Sequence, residues 1–290
     1  IPDHPWVDSA DGAAVRIAMT VGAAGTAKGL LEKVVSEATQ EGGENEVTLL
    51  GQRGAIAANL QVGADITLCG PLGSNFRIAS TGLILGGRGF IVNSTEAAHL
   101  ISESKSAESI IFPIWNGRDI TEGWRDLFVI DTHGYSEAEL KEKLPCIWQR
   151  LRDTVFPERQ TNRDQKLREL WWLFRRANTD LRSAIKGLNR FVITPETAKH
   201  RFFIFSPEHS VPEHGVIAVG IDSAETLAIL SSGIHVIWSL ATGGTLEDRP
   251  RYNKSRCFET FPFPALEEGE LKSRLRALGE WLDAHRKRQQ

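Results

Sequence analysis

Between Arg150 and Arg201 the chain carries thirteen bases against six acids, a local excess of +7. A second run, Arg249, Arg251, Lys254 and Arg256, has no acid inside it. In a chain whose formal net charge is −3, such clusters can hold phosphates locally without coating every polyanion. An ordinary solvated helix face is the other reading of the first run. Acid–base chemistry has one candidate, Asp131-Thr132-His133. On a strand Asp131 and His133 would share a face, and a catalytic pair would also need a cleft. Gly22-Ala-Ala-Gly25-Thr-Ala-Lys28 faintly suggests a phosphate loop but misses the required spacing. Gly86-Gly87-Arg88-Gly89 reads as a bulge or tight turn. There is no GxSxG, HExxH or EF-hand pattern, and the eight histidines are dispersed without metal spacing. His235, on an apolar helical face, is expected to be a hydrogen-bonded core residue rather than a ligand. No catalytic residue and no metal site is therefore expected in this chain.

The 290 residues make one large or two modest domains. With 41% hydrophobic and 24% charged residues the composition is that of a folded chain with a real core. No apolar run approaches the roughly 18 residues of a membrane span, and no signal peptide opens the sequence. The missing initial Met suggests a fragment. Cys69, Cys146 and Cys257 stand far apart with no CxxC, which fits a reducing cytosol and hence a cytoplasmic location.

Strands are expected at 13–21, FRIAS, LILGGRGFIV, SIIFPI, FVIDT, RFVIT, RFFIF and VIAVG, with FRIAS and LILGGRGFIV forming a hairpin. Helical spacing is expected at 28–38, at 55–64, after Ser94, after Ser136, and over a basic helix at 161–176 that carries Trp171 and Trp172. Further helices are expected at 179–187, 223–241 and 267–288, the last with Leu271, Leu275, Leu278 and Leu282 inward. The fold class is α+β, mixed, with short-stranded sheets and scattered helices, ending in an amphipathic C-terminal helix.

Several blocks recur together: PWVDSADGAAVRIAMTV, IAANLQVGADITLCGPL, PIWNGRDI, LPCIWQRLRDTVFPERQTNRD through ELWWLF, GLNRFVITPETAKHRFFIF, and LSSGIHVIWSLATGGTLEDRPRYNKSRCFETFPFP. In this order and spacing, over about residues 5–264, the sequence resembles the target-recognition half of MmeI-like adenine-specific DNA methyltransferases, the type IIG/IIL restriction–modification proteins. PRY…CFETFPFP is the most specific block. The family's glycine-rich S-adenosylmethionine motif, its Asn-Pro-Pro-Tyr/Phe motif and the Asp…Glu-x-Lys nuclease signature are all missing from this chain. The resemblance thus implies a terminal strand of a methyltransferase domain at 1–25, a DNA target-recognition domain at 26–265 and a C-terminal helix at 266–290. It implies no cofactor in this chain: S-adenosylmethionine belongs to a catalytic domain elsewhere in the polypeptide, and magnesium only to a member that also cleaves. The implied partners are double-stranded DNA and that catalytic domain, with no membrane.

A reader of sequence uses arginine on guanine, Asn or Gln on adenine, and Glu or Asp on cytosine, while phosphate contacts set the register. The loop 242–252 offers Glu247, Asp248, Arg249 and Arg251, with Gly243 and Gly244 allowing close approach. The resemblance carries base recognition to Thr245, Glu247 and Arg249. A second candidate segment holds Arg190, Lys199, His200 and Arg201; a third holds His209, Glu213 and His214. Arg118, Lys186, Lys254 and Arg256 are candidates for the DNA backbone. Phe258, Phe261 and Phe263 either wedge between base steps or pin an extended segment to the core, and the second is expected. Trp171 and Trp172 are expected in the core. Two other functions remain open: a stand-alone nucleotide-using enzyme, from the glycine clusters and Asp131/His133, and a protein-interaction domain, from the C-terminal Leu stripe.

Overall fold

In the computed structural model the described residues are 1–6, 15–39, 45–207, 209–246 and 249–289. They form two compact units, Ile1–Cys69 and Gly70–Gln290.

The first unit pairs β1 (His4–Trp6) with β2 (Val15–Ile17) and β3 (Gly29–Thr39) with β4 (Asn45–Gly54), both antiparallel. The helix expected at 28–38 is therefore a strand. A register shift between Val34 and Ser36 breaks the two-residue alternation, so the apolar spacing mimics a helical period. Residues 55–64 are not helical either. Ile56 bridges Val62, and a Cβ on Gly54 would meet the Val62 side chain at 2.2 Å.

The second unit runs β5 (Ala79–Thr81), β6 (Ile91–Asn93), α1 (Ser94–Glu103), β7 (Ile111–Trp115), α2 (Gly117–Glu122), β8 (Leu127–Ile130) and α3 (Glu137–Lys143). Then follow α4 (Pro145–Thr154), α5 (Phe156–Gln160), α6 (Gln165–Glu169), α7 (Thr179–Ile185), β9 (Val192–Pro195), β10 (Ile204–Phe205), β11 (Val211–Pro212) and β12 (Val216–Val219). The chain ends with α8 (Ala224–Leu230), α9 (Gly233–Thr242), β13 (Gly244–Leu246), β14 (Arg249–Arg251) and α10 (Glu270–Lys287). The fold is mixed α+β, as expected.

One sheet, ordered β10-β9-β12-β5, is buried on both faces and divides two cores. Ile193, Ile204, Val216 and Ala218 point to one core; Val192, Phe205, Ile217 and Val219 point to the other. That is why FVIT and VIAV read as unbroken apolar runs rather than alternating ones. The second sheet, β11-β7-β8-β6, packs on α4 through the first core, and Trp171 and Trp172 are buried there too.

FRIAS and LILGGRGFIV do not form a hairpin: β5 pairs with β12, and β6 pairs with β8. Between them Gly82 presses on the backbone of Pro212 and Glu213, where a Cβ would lie 2.2 Å from the Glu213 carbonyl oxygen. The long basic helix at 161–176 shrinks to α6, because the chain turns at Leu170 to bury the two tryptophans. Trp172 Nε1 donates to the Tyr135 carbonyl at 3.0 Å, and the Trp172 carbonyl accepts from Thr132 Oγ1. The helix at 223–241 is two helices bent by 57°, broken where Ser232 caps α9.

Only part of the leucine stripe of α10 faces inward: Leu282 packs against the second core and Leu275 is half-buried. Leu271 is 65% and Leu278 52% exposed, while Gly279 and Asp283 are buried. A helix docks by the face that fits closest, and the fit here is Gly279 against α8, where a Cβ would lie 1.9 Å from the Ala224 carbonyl oxygen. Asp283 Oδ1 accepts the Phe205 N–H at 2.7 Å, and Arg276 pairs with Glu225 at 3.3 Å. Gly279→Ala should therefore destabilise the fold by about 1–2 kcal/mol in a denaturant titration, although alanine favours a free helix by about 1 kcal/mol. A neutral or stabilising result would contradict this docking.

Candidate functional site

The segment from α9 to β14 is built as a projecting hairpin. Gly243 ends α9 with its Cα hydrogens packed between the Arg251 and Ser239 carbonyl oxygens; a Cβ would stand 2.6 Å from each. Thr245 then pairs with Pro250, and Leu246 with Arg249. Glu247 and Asp248, the two residues joining the strands, lie outside the described residues. Alternation puts Leu246, Arg249 and Arg251 on one face of the ribbon and Thr245 on the other. Thr245, Leu246, Arg249 and Arg251 are all exposed.

The root of the hairpin explains the residues of the PRY…CFETFPFP block. Tyr252 is fully buried, and its hydroxyl meets His235 Nε2 at 3.0 Å. Phe203, Phe261 and Phe263 surround the His235 ring, the Phe261 ring centroid lying 4.4 Å away. Cys257, Phe258 and Phe261 are buried, so these phenylalanines pin the segment to the core as expected. Asn75, from a turn far away in sequence, donates its amide to the carbonyls of Phe258 (3.2 Å), Glu259 (3.4 Å) and Phe261 (2.8 Å). No local pattern marks Asn75 in the sequence, because its partners are backbone atoms some 180 residues later. Burial pushes His235 down to about 4, with the Arg201 charge adding to the effect. Burial likewise raises the Tyr252 hydroxyl and the Cys257 thiol, so near neutral pH the His235, Tyr252 and Cys257 side chains are all uncharged.

Against the hairpin lies the β9–β10 loop. Thr197 bridges Arg251, and Ala198 N donates to the Pro250 carbonyl at 3.2 Å. Arg251 donates from Nε and one terminal nitrogen to Glu196 Oε1 at 2.9 and 2.7 Å. Glu196 N in turn donates to the Gly215 carbonyl at 2.7 Å. Around this junction Gly117, Glu196, Thr197, His214, Gly215, Leu246 and Arg251 line an open groove of about 340 Å³. The three candidate segments, distant in sequence, thus meet at one groove, and the Asn116-Gly117-Arg118-Asp119 turn joins them.

Not every candidate residue faces that groove. Lys199 and His200 are exposed on the loop that meets β14. Arg201 is turned inward: its terminal nitrogens donate to Thr194 Oγ1 (3.0 Å), to the Glu196 (3.3 Å) and Pro250 (3.2 Å) carbonyls and to the Pro195 carbonyl. Its guanidinium lies 5.0 Å from the Tyr252 ring centre, and burial lowers its pKa to about 10. Arg190 is drawn to α10, bound to Glu280 at 2.5 and 2.9 Å and over the Phe205 ring. Glu213 accepts from Asn116 Nδ2 at 3.4 Å, beside the groove, while His214 lines it. His209 is exposed with a left-handed backbone, φ 54°. Arg118 pairs with Glu122 at 2.6 Å; Lys254 pairs with Glu259 at 2.8 Å; Lys186 is exposed at the end of α7. Arg256 is exposed and makes no ion pair among the described residues.

The basic run 150–201 is not one phosphate-binding face. Arg150 pairs with Glu96, Arg182 pairs with Asp131 at 2.7 Å, and Arg159 is buried, donating to the Leu85 carbonyl at 2.8 Å. These arginines tie elements together, so the local charge excess overstates what faces solvent. Asp131, held by Arg182, accepts the His133 backbone N–H at 3.1 Å, an arrangement that anchors a turn rather than coupling carboxylate to imidazole. Among the described residues no group of three His, Cys, Asp or Glu side chains could hold a metal ion.

Residues 71–265 match the MmeI target recognition domain. The fold is similar to part of the type IIL restriction–modification enzyme MmeI, solved in complex with DNA, with a TM-score of 0.64, 96% of this chain covered and 17% identity. This chain spans 36% of the length of that MmeI chain. No curated protein sequence matches it. The matched segment takes in the hairpin, both candidate loops and the Asn75 anchor, and the chain belongs to the MmeI target recognition domain family.

Proposed function

We propose that this chain recognises a specific double-stranded DNA sequence on behalf of a site-specific adenine-N6 methyltransferase of the type IIG restriction–modification class. It places the target adenine for flipping into a catalytic domain that binds S-adenosylmethionine and lies elsewhere in the polypeptide. Magnesium enters only if that protein also cleaves. Residues 1–25 belong with the catalytic domain in this reading, and the setting is cytoplasmic. The observation that carries the proposal is the convergence of the 244–251 hairpin, the 196–200 loop and the 213–215 turn on one groove within the family-matched segment. An exposed two-stranded ribbon has the dimensions of a major-groove reader, and its arginines carry the donor pair that guanine accepts. Thr245, Glu247, Asp248 and Arg249 are the base readers, Arg251 joins them by exchanging its pair with Glu196 for a base edge, and Lys199 and His200 stand beside them; Arg256 and Lys186 reach phosphates.

Binding of the full chain to a randomised duplex library, measured against salt, tests the proposal. A selected motif should emerge, and the logarithm of affinity should fall linearly with the logarithm of salt, with a slope near −0.9 per phosphate contacted. Duplex binding without a preferred motif, or no salt dependence, would refute it.

A further inference from the structure

We infer that Arg201 is a positioning residue for base reading: it locks the 194–200 loop and the 244–251 hairpin into one register, so that the two present their side chains as a unit. This rests on the recognition reading above. The guanidinium bridges the two segments, taking acceptors from Thr194, Pro195 and Glu196 on one side and from Pro250 on the other. Pro250 is the residue across from Thr245 in the hairpin, so holding its carbonyl fixes the ribbon next to its readers. The same carbonyl also accepts from Ala198 N, which makes it the point where loop and hairpin meet. Tyr252 supplies the floor: its ring lies under the guanidinium, and its N–H donates to the Glu196 carbonyl at 2.6 Å.

Arginine suits this position for a geometric reason. A planar fork can lie on an aromatic ring and still meet acceptors from two chain segments at its edge, whereas a lysine ammonium is a point charge on a flexible stem. Base reading by two parallel hydrogen bonds tolerates little displacement, while phosphate attraction tolerates much. Loosening the tie should therefore lower discrimination and leave phosphate-driven affinity in place. The hairpin root remains held by the Tyr252–His235 contact and by Asn75, so the fold does not depend on this tie alone.

The test compares the wild-type chain with Arg201→Lys and Thr194→Val on the duplex selected from the randomised library and on a scrambled duplex, across salt, with circular dichroism and melting as folding controls. Thr194→Val removes one acceptor of the fork at nearly constant volume. The expected result for Arg201→Lys is a fall of about tenfold or more in the ratio of selected to scrambled affinity, with an unchanged salt slope. Thr194→Val should move the ratio in the same direction by less. An unchanged ratio in folded Arg201→Lys overturns the inference, and so does a reduced salt slope with the ratio intact, which would make Arg201 a phosphate contact. If Arg201→Lys does not fold, an unchanged ratio in Thr194→Val overturns it. A wild-type chain that selects no motif refutes the recognition reading itself, a different result from a wild type that selects one and a variant that matches it.

Discussion

Arg249→Ala should cost about 1–3 kcal/mol of discrimination at one base pair while leaving binding to unrelated duplexes nearly unchanged. Arg249 stands exposed at the start of the outgoing hairpin strand, opposite Leu246. Exchanging Glu247 and Arg249 together should shift the preferred base pair rather than abolish preference, because one side chain accepts from cytosine and the other donates to guanine. Arg256→Ala is the contrast. A phosphate contact carries no sequence information, so its loss should weaken all duplexes alike and reduce the salt slope by about one counterion. Library selection for each variant, followed by affinity measurements at several salt concentrations, separates the two behaviours. If Arg249→Ala selects the same motif with the same stringency as the wild type, the hairpin does not read bases at that position.

The second large effect concerns stability against pH. His235 is buried against Tyr252 and titrates near 4 in the folded chain, below the ordinary value of about 6.5. An unfolded chain therefore takes up the proton first as pH falls. Between about pH 6.5 and 4 the unfolded state holds more protons, and stability contributed by neutral His235 is lost progressively over that window. The full loss is about 3 kcal/mol, from roughly 1.4 kcal/mol per unit. Above pH 6.5 this residue adds no pH dependence. Unfolding free energies of wild type and His235→Gln, measured at intervals from pH 7 to 4, isolate it, because the carboxylates that also titrate are common to both. The wild-type curve should fall more steeply by about that amount. Parallel curves would mean that the imidazole is accessible to protons without opening the hairpin root. Since that root carries the candidate readers, motif selection should degrade over the same pH window.

Much of the site was legible in the chain because its chemistry is local. The loop 242–252 is marked by adjacent glycines, charged residues and a proline, and the PRY…CFETFPFP block holds the residues that bury its root; that the loop pairs as a hairpin comes from the tertiary structure. The capping of α2 by Asn116 is a short-range pattern of the same kind: its side chain accepts from the Arg118 and Asp119 backbone N–H groups at 2.9 and 3.2 Å. The burial of His235 follows from the apolar spacing of its helix, whereas the two tryptophans are buried by a turn that helical spacing does not foresee.

What the sequence by itself determined, then, is the kind of protein: mixed short elements, a family pattern over most of the chain, and a charged loop followed by an aromatic segment expected to pin to the core. Tertiary structure alone decided which charges are available. Arg190 and Arg201 look like any other arginine in a basic run, yet one is drawn to Glu280 ninety residues away and the other to backbone carbonyls of two segments. It also decided that residues 29–39 pair as a strand and that α10 docks through Gly279 and Leu282 while Leu271 and Leu278 stay exposed. The physical reason is common to all of these. A hydrogen-bond partner or a close backbone contact is chosen by three-dimensional proximity, and propensity or charge counted along the chain contains no information about what lies opposite.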